Sequence, residues 1–188
     1  MKRAPTLAAL SFASLFAMPA FATTTALTTD GTGFAFDVDE LTSASTGLEW
    51  IELNSGSPLT FTFSLTNQGI LKIVDAGFAG DTFSIDGIGS LLTATSAVPQ
   101  SPAEPGTGLD FDAAFANHTR FSFAEVLLGA GSYSISGALL QSAVDGSNVP
   151  FNATVGGISV TAVPLPASGL LLLGASGVLG AIRRRITA

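Results

Sequence analysis

Carboxylates are the side chains of this 188-residue sequence best placed to do chemistry. Asp37, Asp39 and Glu40 cluster after one apolar stretch, and Asp110 and Asp112 stand two apart. In extended chain the members of an i, i+2 pair project to the same side. Calcium takes roughly six to eight hard oxygen ligands from carboxylates, carbonyls and water, and sandwich loops can assemble such a set. Asp37, Asp39, Asp110 and Asp112 are therefore the candidate calcium ligands. No EF-hand or repeat calcium pattern accompanies them, so solvated surface acids are the competing reading. No other cofactor is implied.

Catalytic constellations are thin. His118 is the only histidine, so neither a two-histidine zinc site nor a Ser-His relay with a spare ligand assembles easily. No serine sits in a G-x-S-x-G elbow. The G-x-G pairs that begin at Gly31, Gly87, Gly106 and Gly129 never reach the third glycine of a dinucleotide fingerprint and read as turns. A glycosidase needs two opposed carboxylates, and no spacing selects a pair. Trp50 could stack on a sugar ring; flanked by Leu48 and Ile51, it reads as core. The expectation is a non-enzyme with no catalytic residue.

Charge narrows the partners. Five of the seven basic residues lie in the two terminal segments, which leaves Lys72 and Arg120 against all fourteen acids in residues 23–162, a net charge of −12. A surface so poor in Lys and Arg cannot neutralise phosphates, so nucleic acid is excluded as a partner. Absence of cysteine excludes disulfides, thiolate metal sites and cysteine catalysis.

The elements that must position these residues are strands. "LTFTFSLT" puts Leu59, Phe61, Phe63 and Leu65 on one face and polar residues on the other, the period of a half-buried strand. "GFAFDVD", "LEWIEL", "GILKIVD", "DTFSID", "RFSFAEV", "GSYSISGALL" and "GGISVTA" follow the same rule, punctuated by Gly, Asn, Asp and Ser at sandwich spacing. The expected fold is all-β: a single antiparallel β-sandwich, jelly-roll-like, over residues 23–162. "VPQSPAEPGTG" reads as a surface loop, and "LDFDAAFANH" as a short helix with Leu109, Phe111 and Phe115 packed inward.

The two ends differ in kind. "MKRAPTLAALSFASLFAMPAFA" has a basic start, an apolar stretch and the small-x-small pair Ala20 and Ala22, so residues 1–22 read as a signal peptide cut by signal peptidase. At the other end, residues 163–188 run in three parts. Val163, Pro164, Leu165, Pro166 and Ala167 form a motif whose prolines hold it extended. An apolar run of residues 168–182 covers about 22 Å as a helix, short of the ~30 Å hydrocarbon core, and spans it with snorkelling flanks or local thinning. Arg183, Arg184 and Arg185 then stay cytoplasmic and orient the helix.

This tripartite tail resembles the PEP-CTERM sorting signal of Gram-negative bacteria, in the variant whose motif reads VPLPA. The resemblance implies recognition by an exosortase, an integral membrane Cys protease-transpeptidase. It also implies a transient anchor in the inner membrane facing the periplasm, then delivery to the cell surface or an exopolysaccharide-rich extracellular matrix. Leu165 to Gly169 also approximates the LPxTG signal of Gram-positive sortases, with Ser168 where Thr is expected. The hairpin-like start "FTFSLTNQGILKIVDAGFAGDTFSI", a loop, then "DAAFANHTRFSF" and "LLGAGSYSISG" make residues 59–140 resemble, loosely, a β-sandwich module common in proteins with this tail, from which no enzymatic activity follows. The implied function is that of an exported, non-enzymatic surface or biofilm-matrix protein; a glycan- or calcium-binding module at the cell surface is the alternative.

Overall fold

A computed structural model describes residues 22–100 and 106–164. The described residues form eight strands: β1 (Thr23–Ala26), β2 (Phe34–Asp39), β3 (Leu59–Leu65), β4 (Gly69–Asp75), β5 (Thr82–Asp86), β6 (Phe123–Leu128), β7 (Gly131–Gln141) and β8 (Ala153–Ala162). One short helix, α1 (Phe111–Ala116), and a 3-10 turn at Gly89–Leu91 interrupt them. The strands build two four-stranded sheets, one in the order β1-β3-β7-β5 and the other β2-β8-β4-β6. The chain is thus a β-sandwich with almost no helix.

Alternation explains which face each strand buries. In β3, Leu59, Phe61, Phe63 and Leu65 are buried while the residues between them reach solvent. Leu71 and Ile73 of β4, Ile158 and Val160 of β8, and Phe36 and Val38 of β2 meet them from the other sheet in one core. Each large apolar side chain so buried contributes about 1.5–3 kcal/mol.

Trp50 lies at the centre. Its ring stacks on Phe36 at 4.1 Å between centroids, and Phe83 meets Phe36 edge-on at 5.1 Å. "LEWIEL" is not the strand that its pattern suggests: Trp50 and Ile51 are consecutive and both buried, and the segment makes only isolated bridges. It works instead as a corner between sheets. The Trp50 N–H donates to Gly137 O of β7 at 2.8 Å, and the Trp50 carbonyl accepts from Leu59 of β3 at 2.7 Å. Ile51 and Asp37 of β2 exchange two further bonds, of 2.8 and 3.0 Å.

Topology departs from expectation at two points. First, β1 runs parallel to β3, whereas the other paired strands are antiparallel. Second, the strands alternate between the layers: odd strands form one sheet and even strands the other, and no strand is hydrogen-bonded to the next in sequence. The hairpin-like start expected in "FTFSLTNQGILKIVDAGFAGDTFSI" is one such case, since β3 and β4 face each other across the core. Tight hairpins use turns with positive φ, and no residue of the 66–68 link has one.

Two glycines let the central stack form. A Cβ on Gly137 would lie 2.6 Å from Trp50 Cε2 and Cζ2 and also strike Ser84 O, and one on Gly156 would enter the Phe36 ring. Gly137→Ala should therefore cost about 3 kcal/mol through overpacking. Gly129→Ala, where nothing lies within 4 Å, should change stability far less. Urea unfolding of the two variants checks this, and equal midpoints would contradict it.

Candidate functional site

Two places on this scaffold gather polar groups: a cavity on the outer face of the second sheet and a buried corner where β4 ends. The cavity exists because α1 lies across β2, β8 and β4. Asp110 starts the helix by accepting from the Ala113 N–H at 3.0 Å, and Asp112 sits in the first turn, where the helix dipole favours an acid. Phe111 rests on β8, where a Cβ at Gly157 would come within 2.5 Å of its ring. Between helix and sheet lies a cavity of 560 Å³, lined among others by Phe34, Lys72, Phe111, Phe115 and Ser159. The Lys72 ammonium stands 4.5 Å from the centre of the Phe115 ring and 3.5 Å from Glu125. A half-apolar floor with one bridged cation can hold a ligand, and it carries no nucleophile paired with a base.

The buried corner is different. Asp75 closes β4 and Asp81 precedes β5, and the segment between them, Ala-Gly-Phe-Ala-Gly, folds back so that both carboxyls are fully buried. Asp75 Oδ1 accepts from the Gly77 N–H at 3.2 Å, and Asp81 Oδ1 accepts from the Ala143 N–H at 2.6 Å. The second oxygen of each has no hydrogen-bond partner. Loss of solvent, and then the charge of Asp81, push the Asp75 carboxyl up to about 9. Loss of solvent likewise raises Asp81 to about 6.

The carboxylates singled out from sequence fall elsewhere. Asp37 lies on β2, bonded to the Val38 N–H at 3.0 Å and raised by partial burial and by Asp39. Asp39 caps the following turn through the Leu41 N–H at 2.9 Å. Asp110 and Asp112 sit at the start of α1. Among the described residues no three His, Asp or Glu side chains gather into a metal-holding group. Leu109 is 66% exposed, so only Phe111 and Phe115 of the expected trio pack, against a satellite cluster around Val74, Ala79 and Phe121. Trp50, at 1% exposure, is out of reach of any sugar. His118 is exposed, with its ring 4.1 Å from that of Phe123.

Of the targeting residues, Ala22 is exposed just before β1, and Val163 and Pro164 follow β8. Ala20, Leu165, Pro166, Ala167, Arg183, Arg184 and Arg185 lie outside the described residues, as do the apolar runs assigned to the signal peptide and the membrane helix. No helix among the described residues is long and apolar enough to cross a membrane.

Sequence reasoning passed over Asp75 and Asp81. The available signal was the segment they bracket, five residues without a single polar side chain.

No family model matches the chain, and no curated protein does. Among solved structures, it is similar to the pre-peptidase C-terminal domain of a collagenase from Bacillus anthracis, at 11% identity and a TM-score of 0.38, over 77% of this chain and 98% of that one.

The raised carboxyls set a pH dependence. Both hold protons in the folded state at pH values where the unfolded chain has released them, so stability falls as pH rises through that window. In chelator-containing buffer stability should fall from about pH 5 to about pH 9, by up to about 1.4 kcal/mol per pH unit for each carboxyl that keeps its proton in the folded state, and the melting temperature should fall with it. Asp75→Asn should flatten the upper part of that slope. Thermal melts across the range check this, and a flat wild-type profile would contradict it.

Proposed function

We propose that this chain is an exported, non-enzymatic protein of the bacterial cell surface or extracellular matrix, sorted by exosortase processing of its C-terminal tail. The carrying observation is the ordered tail itself: Val163 to Ala167, the apolar run, and Arg183 to Arg185. Two boundaries support the reading. β1 begins at Thr23, directly after Ala22, so signal peptidase would cut without removing a paired strand residue. β8 ends at Ala162, directly before Val163, so the sorting motif starts where the last strand stops. In this reading residues 1–22 direct export and residues 168–182 hold the chain transiently in the inner membrane. The sandwich then faces the periplasm before reaching the surface or an exopolysaccharide matrix.

The strongly acidic, cysteine-free domain suits such a place, since its charge keeps it solvated among polymers.

Separate tags inside the domain and after Arg185 test sorting directly. The tags should part, with the domain tag recovered at the surface or in the medium, and replacing Pro164 and Pro166 by Ala should keep them together. Recovery of both wild-type tags from the inner membrane, in cells that contain the exosortase, would overturn the proposal.

The 560 Å³ cavity with Phe111 and Phe115 in its lining favours a second reading, a glycan-binding module. Oligosaccharide arrays should then show binding that Phe115→Ala abolishes, and uniform silence removes this alternative.

A further inference from the structure

Among the described residues, four side-chain oxygens are buried without a hydrogen-bond partner: Asp75 Oδ2, Asp81 Oδ2, Thr107 Oγ1 and Thr154 Oγ1. All four belong to one corner of the sandwich. The loop of residues 76–80 joins the two aspartates and lies against the start of β8, where a Cβ on Gly77 would fall on Thr154 Oγ1 and 2.7 Å from the Val155 N–H. The backbone of Thr107 is tied to the same loop, its N–H donating to Ala76 O at 3.0 Å. Ala143, just beyond β7, closes the corner by donating to Asp81.

Thr154 is 6% exposed and its hydroxyl faces both carboxyls, where it favours their ionised forms, yet it makes no regular hydrogen bond. The charge acting on Asp75 is the like charge of Asp81. The hydrogen-bond partners of the two carboxyls are backbone N–H groups, at Gly77 and Ala143. Two ionised carboxylates facing each other in a low dielectric, each with an unsatisfied oxygen, are strongly unfavourable, and either a proton or a cation between them relieves the repulsion.

We propose that Asp75, Asp81 and Thr154 hold a divalent cation of the calcium class, which binds this corner and locks the 76–80 loop to the start of β8. The donor set is entirely hard oxygen, with no nitrogen or sulfur, and two carboxylates match a double positive charge. Calcium accepts irregular oxygen cages completed by carbonyls and water. Magnesium keeps several waters in strict octahedral geometry and is poorly served by so closed a corner. These ligands are distinct from Asp37, Asp39, Asp110 and Asp112, whose carboxylates cap turns or line the sheet surface. The site depends on no part of the sorting proposal.

Calcium titration of the purified full chain, pre-treated with chelator, tests this by calorimetry and thermal melting. One calcium should bind per chain, and millimolar calcium should raise the melting temperature by about 5 °C or more, with magnesium giving much less. Asp75→Asn and Asp81→Asn should each weaken binding by more than tenfold, and Thr154→Val by several-fold. The triple variant Asp37→Asn, Asp39→Asn, Asp110→Asn, which removes three carboxylate charges outside the corner while each Asn keeps a capping oxygen, should keep the wild-type response. Absence of calcium binding by the wild-type chain overturns the proposal, as does an equal response to magnesium. So does loss of the response in the surface variant, and that arm decides the matter even if a buried-site variant fails to fold.

Discussion

The sandwich is organised around the contact between Phe36 and Trp50. One ring belongs to β2 of the second sheet and the other to a corner bonded into the first, so their stacking fixes how the layers meet. The contact needs room that ordinary residues would fill, and it has that room because Gly137 and Gly156 stand where the rings press. A pair of large aromatics and a pair of missing side chains are therefore one device. It sets the spacing of the sheets, and the alternating residues of β3, β4, β7 and β8 complete the core that the rings begin.

Acidity follows a division of labour. Exposed and half-buried aspartates serve the backbone: Asp30 accepts from Thr32, Asp39 from Leu41, Asp110 from Ala113, and Asp145 from Ser147 and Val149. A chain with so few basic residues can therefore use its carboxylates in turns without ion-pair partners. Asp75 and Asp81 also accept backbone bonds, but they do so away from water. Position relative to solvent, rather than residue type, separates an acid that shapes a loop from one poised to take a counter-ion.

Strand existence was legible in the sequence because a two-residue period directly reports a half-buried sheet face. β2 through β8 carry that signal, while β1, four residues of "TTTA", carries almost none. Partner choice was not legible, since alternation says which face is buried and nothing about which strand lies alongside. The 66–68 link misled for this reason: a three-residue connection between two alternating stretches suggests a hairpin, yet β3 and β4 sit in different sheets. Leu109 misled because its hydrophobicity matched the helix pattern although it lies before the first turn. The buried acids were hidden for a related reason: an aspartate at a strand end normally marks the surface, and only the apolar loop beyond it indicates otherwise.

Each connection between strands crosses from one layer to the other, and β8 sits between β2 and β4 in its sheet. No adjacent pair of strands can zip up by itself, and the second sheet lacks its middle rung until the final strand arrives. Loop closure over such long separations makes assembly slow. A nascent chain of this topology stays pliable until almost all of it has been made, which is the state in which a polypeptide can be threaded through a narrow translocation channel.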